Sequence, residues 1–281
     1  MNLVSIVIPV YNRKDLISRA LKSVMAQTVV DYEIIVVDDA STDGTWEHLN
    51  KSWDIPPVRL IRQDFNQGVS AARNRAIRAA EGEWIALLDS DDEWVPTKLE
   101  KQIDGLIDSG NFVCHTDEIW IRNGVRVNPH KHHAKHGGRI FLQALALCTI
   151  SPSSVLLRRT LFDDVGYFDE SLPACEDYEF FLRLACRYDV LLLQEKLTIK
   201  YGGHPDQLSR AHYAMDRFRV KALDRLLGDV SAPVTNEERT VARNMLLQKA
   251  TIVRNGAAKH DNVKLKSEMA GYLARWSKKE I

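Results

Sequence analysis

The chain has 281 residues, of which 45% are hydrophobic and 27% charged, enough for one large α/β domain with an appendage or for two small domains. Lysine and arginine together number 38, as do aspartate and glutamate, which argues against nucleic acid as the main partner. The four cysteines form no C-x-x-C pair, and neither a signal peptide nor an apolar run of roughly 18 residues that could cross a membrane is recognisable. A reduced, cytoplasmic protein is therefore predicted.

The first 110 residues alternate between strand and helix patterns. Short apolar runs predict four strands, at residues 3–10, 33–37, 58–62 and 83–88. Apolar residues at helical spacing predict four helices, at residues 17–27, 45–53, 68–80 and 96–109. This alternation is typical of a parallel, doubly wound sheet, in which right-handed crossovers bring the ends of strands one, two and four to one edge.

Polar residues follow three of these strands. Tyr11 comes after the first strand, and Asp38 and Asp39 come after the second. The fourth strand runs directly into the acidic cluster of residues 89–92. Ligands of open α/β sheets bind just beyond the carboxyl ends of the strands, so these residues are expected to share one crevice.

The acidic cluster offers a candidate metal site. Asp89, Asp91 and Asp92 lie within four residues, and their charges repel one another unless a cation compensates them. Carboxylate oxygens suit Mg²⁺ or Mn²⁺, which usually keeps coordination positions for substrate phosphates. A polar turn before the helix that begins at Pro96 is the alternative interpretation of this stretch alone.

Beyond residue 110 the regular alternation stops. Further strands are predicted at residues 112–116, 120–127, 151–157, 190–193 and 197–201. A helix over 177–188 has an acidic N-terminus, where Glu176 and Asp177 could simply complement the helix dipole.

From about residue 211 the pattern is helical, and it predicts an appendage packed on the preceding domain. Thr235 and Glu238 form a capping box before one of its helices, and the last helix covers 262–277. Four basic residues on the first of these helices leave peripheral membrane contact open, although such a run is more often a solvated face. They are Arg217, Arg219, Lys221 and Arg225.

Four segments in this order carry a family resemblance. They are SIVIPVYN, VVDDASTDG, NQGVSAARNRAIRAAEGEWIALLDSDDEWVP and CEDYEFFLRL. Through them the chain resembles the family 2 glycosyltransferases, which are inverting, sugar-nucleotide-dependent enzymes. The resemblance implies the GT-A fold, a Rossmann-like, mostly parallel sheet flanked by helices. It covers about residues 1–210, with a nucleotide-binding half at 1–110 and an acceptor-binding half at 111–210, and leaves 211–281 as the helical appendage.

The resemblance implies a nucleotide-binding role for seven residues. Pro9 and Tyr11 would line the nucleoside pocket, and Asp39 would accept a hydrogen bond from the imide N–H of uracil, which favours a uridine nucleotide. Arg73 would face the nucleotide. Asp38, Asp89 and Asp91 complete the set, with Asp91 near the ribose and the metal ion.

The resemblance also implies the metal ligands and the catalytic base. Mn²⁺ or Mg²⁺ would be held on the diphosphate by Asp91 or Asp92, and which of the two is closer stays open. His204 is a candidate third ligand, against the alternative of a simple loop histidine. Asp177 matches the family's catalytic base and is paired with Glu176, so a single displacement would invert the anomeric centre.

The expected reaction moves one sugar from a nucleotide-diphosphate sugar, with UDP favoured, to a hydroxyl of a glycan or lipid-linked acceptor in cell-surface polysaccharide synthesis. The protein would act in the cytoplasm or at the inner membrane face. A processive enzyme is disfavoured because Tyr272 stands where the family's Q-x-x-R-W element has glutamine before Arg275-Trp276. Two alternatives are a nucleotidyltransferase, disfavoured because PVYNRKD lacks glycine, and a non-catalytic sugar-nucleotide-binding module, disfavoured because the acidic residues are retained.

Overall fold

A computed structural model describes residues 4–128, 130, 133–203 and 212–277. The described chain is organised around a mixed sheet with strand order β3-β2-β1-β4-β8-β6-β9-β5, and β7 pairs with β6. The strands are β1 Val4–Val10, β2 Tyr32–Asp38, β3 Val58–Arg62, β4 Trp84–Leu87, β5 Glu93–Trp94, β6 Val113–Arg122, β7 Val125–Val127, β8 Val155–Arg158 and β9 Leu191–Gly202.

The first half of the sheet is parallel, as the strand–helix alternation predicts, because β1 pairs in parallel with both β2 and β4, and β2 with β3. All seven residues of β1 are buried, and they alternate between two apolar cores. Ile6 and Ile8 face one core and Val7 faces the other, as expected from a side-chain period of two. The helices in this half are α1 Ile17–Met25, α2 Thr45–Ser52, α3 Val69–Ala79 and α4 Lys98–Ser109.

The second half is mostly antiparallel, since β8 runs antiparallel to both β4 and β6, and β5 antiparallel to β9. The two strands predicted at 112–116 and 120–127 are instead a long strand β6 and a hairpin return β7, with the turn at Asn123-Gly124 as predicted. The two predicted at 190–193 and 197–201 are one strand, β9. Bulges in the pairing of β6 with β9 absorb the extra residues of β9, so its polar stretch does not end the strand.

The remaining helices surround the second core. They are α5 Phe141–Ala144, α6 Leu161–Val165, α7 Glu176–Ala185, α8 Asp216–Gly228, α9 Asn236–Lys259 and α10 Val263–Ser277. The predicted capping box is present at α9, where Thr235 Oγ1 accepts the Glu238 backbone N–H at 3.1 Å and the Glu238 carboxylate accepts that of Thr235 at 2.8 Å. Phe218, Leu246 and Trp276 of the last three helices are buried in the same apolar cluster as α7 and β8. Among the described helices, none is both long and apolar enough to cross a membrane.

Candidate functional site

A cavity of about 640 Å³ opens at the carboxyl ends of β1, β2 and β4. Eight of the residues implied by the sequence line it, namely Pro9, Tyr11, Asp39, Arg73, Asp89, Asp91, Glu176 and Asp177. Asp38 and Asp92 lie close by but do not line it, and His204 falls outside the described residues. The parallel half of the sheet and α7 together bring to one cavity residues that are up to 168 positions apart in the chain, from Pro9 to Asp177.

One end of the cavity is formed where β1 and β2 stop. Tyr11 follows β1 and keeps 42% of its surface exposed, so its ring is available to a ligand. The turn there is fixed by Asn12, whose backbone has a φ of 51° and whose side-chain oxygen accepts the Thr42 N–H at 2.8 Å. The backbone N–H of Asn12 in turn donates to Ser41 Oγ at 2.9 Å.

At the end of the cavity near β2, the carboxylate of Asp39 is held in place by hydrogen bonds. It is only 2% exposed, and its carboxylate accepts the backbone N–H of Gln67 at 2.7 Å and that of Gly68 at 2.8 Å, together with the Gln63 side-chain amide. Burial raises the pKa of Asp39, and these hydrogen bonds oppose the shift. A carboxylate has about four lone-pair positions, so the Asp39 oxygens keep acceptor capacity for a ligand.

Asp38 points the other way. Neighbouring residues of a strand project to opposite faces, and Asp38 ends β2 fully buried beneath the turn. Its Oδ2 accepts the Ser41 N–H at 3.1 Å and lies 3.5 Å from Arg62 Nε. Asp38 therefore shapes the turn that carries Asp39.

Arg73, buried on α3, bridges two parts of the cavity wall. Its Nη2 donates to Asp89 Oδ1 at 2.7 Å and its Nη1 donates to Glu176 Oε1 at 2.7 Å. Burial lowers the pKa of Arg73, but the charges of Asp89 and Glu176 outweigh this effect and raise it overall. One permanently charged guanidinium thus fixes the loop after β4 relative to the first turn of α7.

The acidic loop has two aspartates in the cavity wall, Asp89 and Asp91, and a third beneath it, Asp92. Burial and the neighbouring charge of Asp89 raise the pKa of Asp91, whose carboxylate faces the cavity. Asp92 is buried, with Oδ2 accepting from Ser153 Oγ at 2.6 Å and Oδ1 accepting from the Tyr201 N–H at 3.0 Å. Burial raises the pKa of Asp92 to about 8. Ser153 Oγ also accepts the Asp89 N–H at 3.1 Å, so a single hydroxyl holds both ends of the loop.

Asp177 lies in the first turn of α7. Its Oδ1 accepts the Tyr178 backbone N–H at 2.7 Å, and no described residue donates to its Oδ2. The helix begins after Cys175, whose φ of 59° turns the chain sharply before the acidic pair. Glu176 is held by Arg73, which leaves Asp177 as the acid of the pair with an open oxygen at the cavity.

Lys200 and Arg219 also line the cavity, although the sequence reasoning did not assign them to the site. Burial lowers the pKa of Lys200, but the charges of Glu118, Asp92, Asp89 and Asp177 raise it overall. The sequence feature that could have assigned Lys200 to the site is its position as a lone lysine within the apolar strand pattern LTIKY. Arg219 belongs to α8 in the predicted appendage, and its approach to the cavity arises from tertiary packing that has no local signature.

The residues fit a divalent cation only in part. Asp91 supplies a hard oxygen donor whose charge is poorly compensated, as such an ion requires. Within the described part of the chain, however, no three His, Cys, Asp or Glu side chains converge on one point. A cation at Asp91 would therefore take its other ligands from phosphate oxygens and water.

Comparison with known proteins identifies the family. The sequence model of Glycosyl transferase family 2 matches residues 5–166, and that of Glycosyltransferase like family 2 matches residues 139–244. Among curated proteins, the chain is 35% identical over 190 residues to the Escherichia coli UDP-Glc:alpha-D-GlcNAc-diphosphoundecaprenol beta-1,3-glucosyltransferase WfaP, covering 66% of this chain and 70% of WfaP.

Solved structures show the same fold at lower sequence identity. Residues 1–349 of S. aureus TarS in complex with UDP-GlcNAc align with a TM-score of 0.76 and 21% identity, over 98% of this chain and 80% of that one. The mannosyltransferase PcManGT from Pyrobaculum calidifontis, in complex with GDP-Man and Mn²⁺, aligns with a TM-score of 0.62 and 20% identity, over 98% and 85% of the two chains. These likenesses confirm the predicted GT-A fold. With the match over residues 5–166, they place the chain in glycosyltransferase family 2, and it is a glycosyltransferase.

Proposed function

We propose that the protein transfers one sugar from a UDP-sugar to a saccharide hydroxyl on a lipid-diphosphate acceptor, with inversion at the anomeric carbon. The observation that carries this proposal is the order of groups along one cavity. Asp39 and Tyr11 follow the neighbouring strands β2 and β1, Asp89 and Asp91 follow the next strand in the sheet, β4, and Arg73 joins Asp89 to Glu176 beside Asp177 on α7. This order matches a nucleoside, a diphosphate and a reacting sugar. The activity of WfaP, whose name specifies UDP-Glc and a diphosphoundecaprenol-linked acceptor, supports both substrate classes.

The donor would be recognised at the Tyr11 end. The exposed ring of Tyr11 offers a surface on which a base can stack, and Pro9 lies beside it in the cavity wall. Asp39 would accept the imide N–H of uracil with its remaining lone pairs, whereas cytosine presents no such donor in its neutral form. Asp38 acts indirectly by supporting the turn.

The diphosphate would lie near Asp91 and Lys200, an acid and a cation that both line the cavity and whose charges interact. Asp91 is the proposed direct ligand of a Mg²⁺ or Mn²⁺ ion, because both oxygens of Asp92 are already used inside the protein. When bound, such an ion stabilises negative charge on the departing diphosphate. His204 stays a predicted further ligand.

Asp177 is the proposed general base. Its open carboxylate oxygen would take the proton of the acceptor hydroxyl. At the same time the hydroxyl oxygen of the acceptor attacks the anomeric carbon, and the bond between that carbon and the diphosphate breaks. The electron pair of the broken bond leaves with UDP, so no covalent sugar–enzyme intermediate is needed. A base in this position contributes about a hundred- to ten-thousand-fold to the rate. Glu176 supports it by holding Arg73 and the turn of α7 in place.

We also propose that residues 1–110 bind the donor, that 111–210 contribute to acceptor binding, and that the enzyme works in the cytoplasm at the inner membrane face. A lipid-linked acceptor supports this location. The basic residues of α8 do not form an unpaired patch, because Arg225 pairs with Asp169, Lys221 with Glu268 and Arg219 with Asp216. Contact with the membrane would therefore come mainly through the acceptor lipid.

A thermal-denaturation panel tests the donor assignment. UDP, GDP and dTDP, and the corresponding sugar nucleotides, are added with and without Mn²⁺ to the unmodified protein, to Tyr11→Ala, and to the control Tyr213→Ala. Tyr213 is a similarly exposed tyrosine that packs against His260 and does not line the cavity. A ligand at a hundredfold excess over its Kd stabilises the folded state by about 2.7 kcal/mol.

We expect a Mn²⁺-dependent increase in melting temperature with UDP, strongly reduced in Tyr11→Ala and retained in Tyr213→Ala, because base–aromatic stacking contributes about 1–3 kcal/mol. A preference for GDP or dTDP would correct the nucleotide. An absence of any shift with every nucleotide would contradict the donor site.

A further inference from the structure

The last residues of the chain that line the cavity belong to the start of α8. Met215 and Arg219 line it beside the first turn of α7. Cys175 Sγ donates to the Met215 carbonyl at 3.8 Å, and the Arg219 guanidinium carbon lies 5.9 Å from the centre of the Tyr178 ring. Cys175 and Tyr178 flank the proposed base Asp177 in sequence. The start of α8 therefore forms part of the cavity wall beside the first turn of α7, which carries the proposed base.

Arg219 is incompletely satisfied by the protein. Its Nη1 donates to Asp216 Oδ1 at 2.8 Å, whereas its Nε is buried without a hydrogen-bond partner. No described residue accepts a hydrogen bond from its Nη2, and the side chain keeps 20% of its surface exposed.

The carboxylate that pairs with Arg219 is shared with a second cation. The Asp216 carboxylate is shared with Lys249, whose Nζ lies 3.0 Å from the same Oδ1. One carboxylate thus faces two cations. The other acids near this turn are already engaged or assigned, because Glu176 is paired with Arg73 and Asp177 is the proposed base.

We propose that Arg219 binds the anionic group of the acceptor, namely the diphosphate that links the acceptor sugar to its lipid. This inference rests on the proposed function and deepens it. A guanidinium donates charge-assisted hydrogen bonds to phosphate oxygens, and within the described structure no residue accepts a hydrogen bond from Nη2 of Arg219. The acceptor sugar would then lie between the base and Arg219, with its nucleophilic hydroxyl at Asp177 and its diphosphate at α8. Part of acceptor recognition is thereby a function of α8.

Steady-state kinetics with matched acceptors tests the assignment. Two acceptors are compared, an alkyl diphosphate α-linked to N-acetylglucosamine and an alkyl N-acetylglucosaminide that lacks the diphosphate. The variants are Arg219→Met, Arg219→Lys and the control Arg217→Met. Arg217 lies on the same turn of the chain but packs on the Phe218 ring at 4.5 Å and does not line the cavity.

We expect Arg219→Met to raise the KM for the diphosphate acceptor at least tenfold. Its KM for the donor, its kcat at saturating acceptor and its kinetics with the neutral acceptor should stay close to those of the unmodified protein. Arg219→Lys should recover part of the loss because it keeps the charge, and Arg217→Met should behave as the unmodified protein does. Calorimetric titration of the diphosphate acceptor into UDP-saturated protein should show the same ranking of affinities.

Three results would overturn the assignment. They are an equal loss by Arg219→Met with both acceptors, no loss with either, and an unmodified protein that binds UDP but not the diphosphate acceptor. An unmodified protein that binds no nucleotide would instead refute the proposed donor site, so the two failures are distinguishable.

Discussion

Arg73 links the donor side of the cavity to the acceptor side through two hydrogen bonds of 2.7 Å, to Asp89 and to Glu176. Removing one partner of a buried ion pair typically destabilises a protein by about 3–5 kcal/mol, because a charge is left uncompensated inside. The two carboxylates come from different halves of the chain, so the loss should affect the assembly of the whole cavity.

We predict that Arg73→Met lowers the free energy of unfolding by about 3–5 kcal/mol and also lowers transfer activity. Arg73→Lys should recover stability only in part, because an ammonium does not reproduce the two-sided geometry of the guanidinium. Urea unfolding measures the effect, with Arg75→Met as the control, since Arg75 is an exposed residue of the same helix. Equal stability of Arg73→Met and Arg75→Met would contradict this role.

Asp177 is the side chain on which the proposed chemistry depends. Asp177→Asn keeps the size of the side chain and removes its ability to take a proton. We predict that kcat falls by about a hundred- to ten-thousand-fold while stabilisation by UDP is unchanged. Asp163→Asn, at an exposed position of α6, is the matched control and should transfer normally. Strong residual transfer by Asp177→Asn would remove Asp177 from the role of base.

The acidic loop is the element on which the proposed donor binding depends, and it packs on the short 3₁₀ turn at Pro152–Ser154. Ser153 Oγ donates to Asp92 and accepts from the Asp89 N–H, so the turn before β8 fixes the position of the loop after β4. Trp94 Nε1 adds a third connection by donating to the Ser153 carbonyl at 2.7 Å.

We predict that Ser153→Ala costs about 1–3 kcal/mol of stability, since it leaves a buried carboxylate oxygen and a backbone N–H without their partner. It should also weaken the Mn²⁺-dependent part of UDP binding, because Asp91 is carried by the same loop. Ser154→Ala is the control, as its hydroxyl bonds only to the Ser151 carbonyl. Unchanged UDP binding with and without Mn²⁺ would show that the loop does not need this hydroxyl.

At the same scale, the sequence predicts elements better than it predicts side-chain direction. The alternation of strands and helices up to α4 follows from apolar periodicity, and the structure confirms it. The separate strands predicted within β6 and β9 were wrong, because pairing between distant segments carries each strand across a polar stretch. The burial of Asp92 and the direction of Asp38 depend on Ser153, Tyr201 and Arg62, whose proximity no local pattern reveals.

At the scale of the molecule, the three C-terminal helices share one apolar core with the sheet. Phe218, Leu246 and Trp276 belong to the same buried cluster as Val7 of β1. Arg139 reinforces this packing by donating to both carboxylate oxygens of Glu238 at 2.9 Å. The sequence predicted a packed appendage. That it reaches the cavity through Arg219 could not be read from its helical periodicity.

The stability of the whole protein should depend on pH through Lys98, which is fully buried under the Trp94 ring with its amine donating to Gln102 at 2.6 Å. Burial lowers the pKa of Lys98 to about 7, from about 10.5 in the unfolded chain. Below pH 7 both states carry the proton, and the buried charge disfavours folding in full. Between pH 7 and about 10.5 the unfolded chain binds more protons, so the free energy of unfolding should rise with pH, by up to about 1.4 kcal/mol per unit.

Lys98→Met should remove this contribution. The free energy of unfolding of Lys98→Met should therefore exceed that of the unmodified protein most at pH 7, and the difference should shrink toward pH 10. Urea unfolding across that range measures it, with the exposed Lys22→Met of α1 as the control. A difference between Lys98→Met and the unmodified protein that does not change with pH would contradict the lowered pKa.

The two ends of the cavity come from separate stretches of the chain. Pro9, Tyr11, Asp39 and Asp91 belong to the first 110 residues, whereas Asp177, Met215 and Arg219 come from the later ones. Under the proposed assignment, the acceptor contacts in the later stretch can change without altering the residues that bind the sugar nucleotide. Exchanging α7 to α10 between relatives should accordingly graft a new acceptor preference onto an inherited donor preference, provided that the partner of Arg73 is kept.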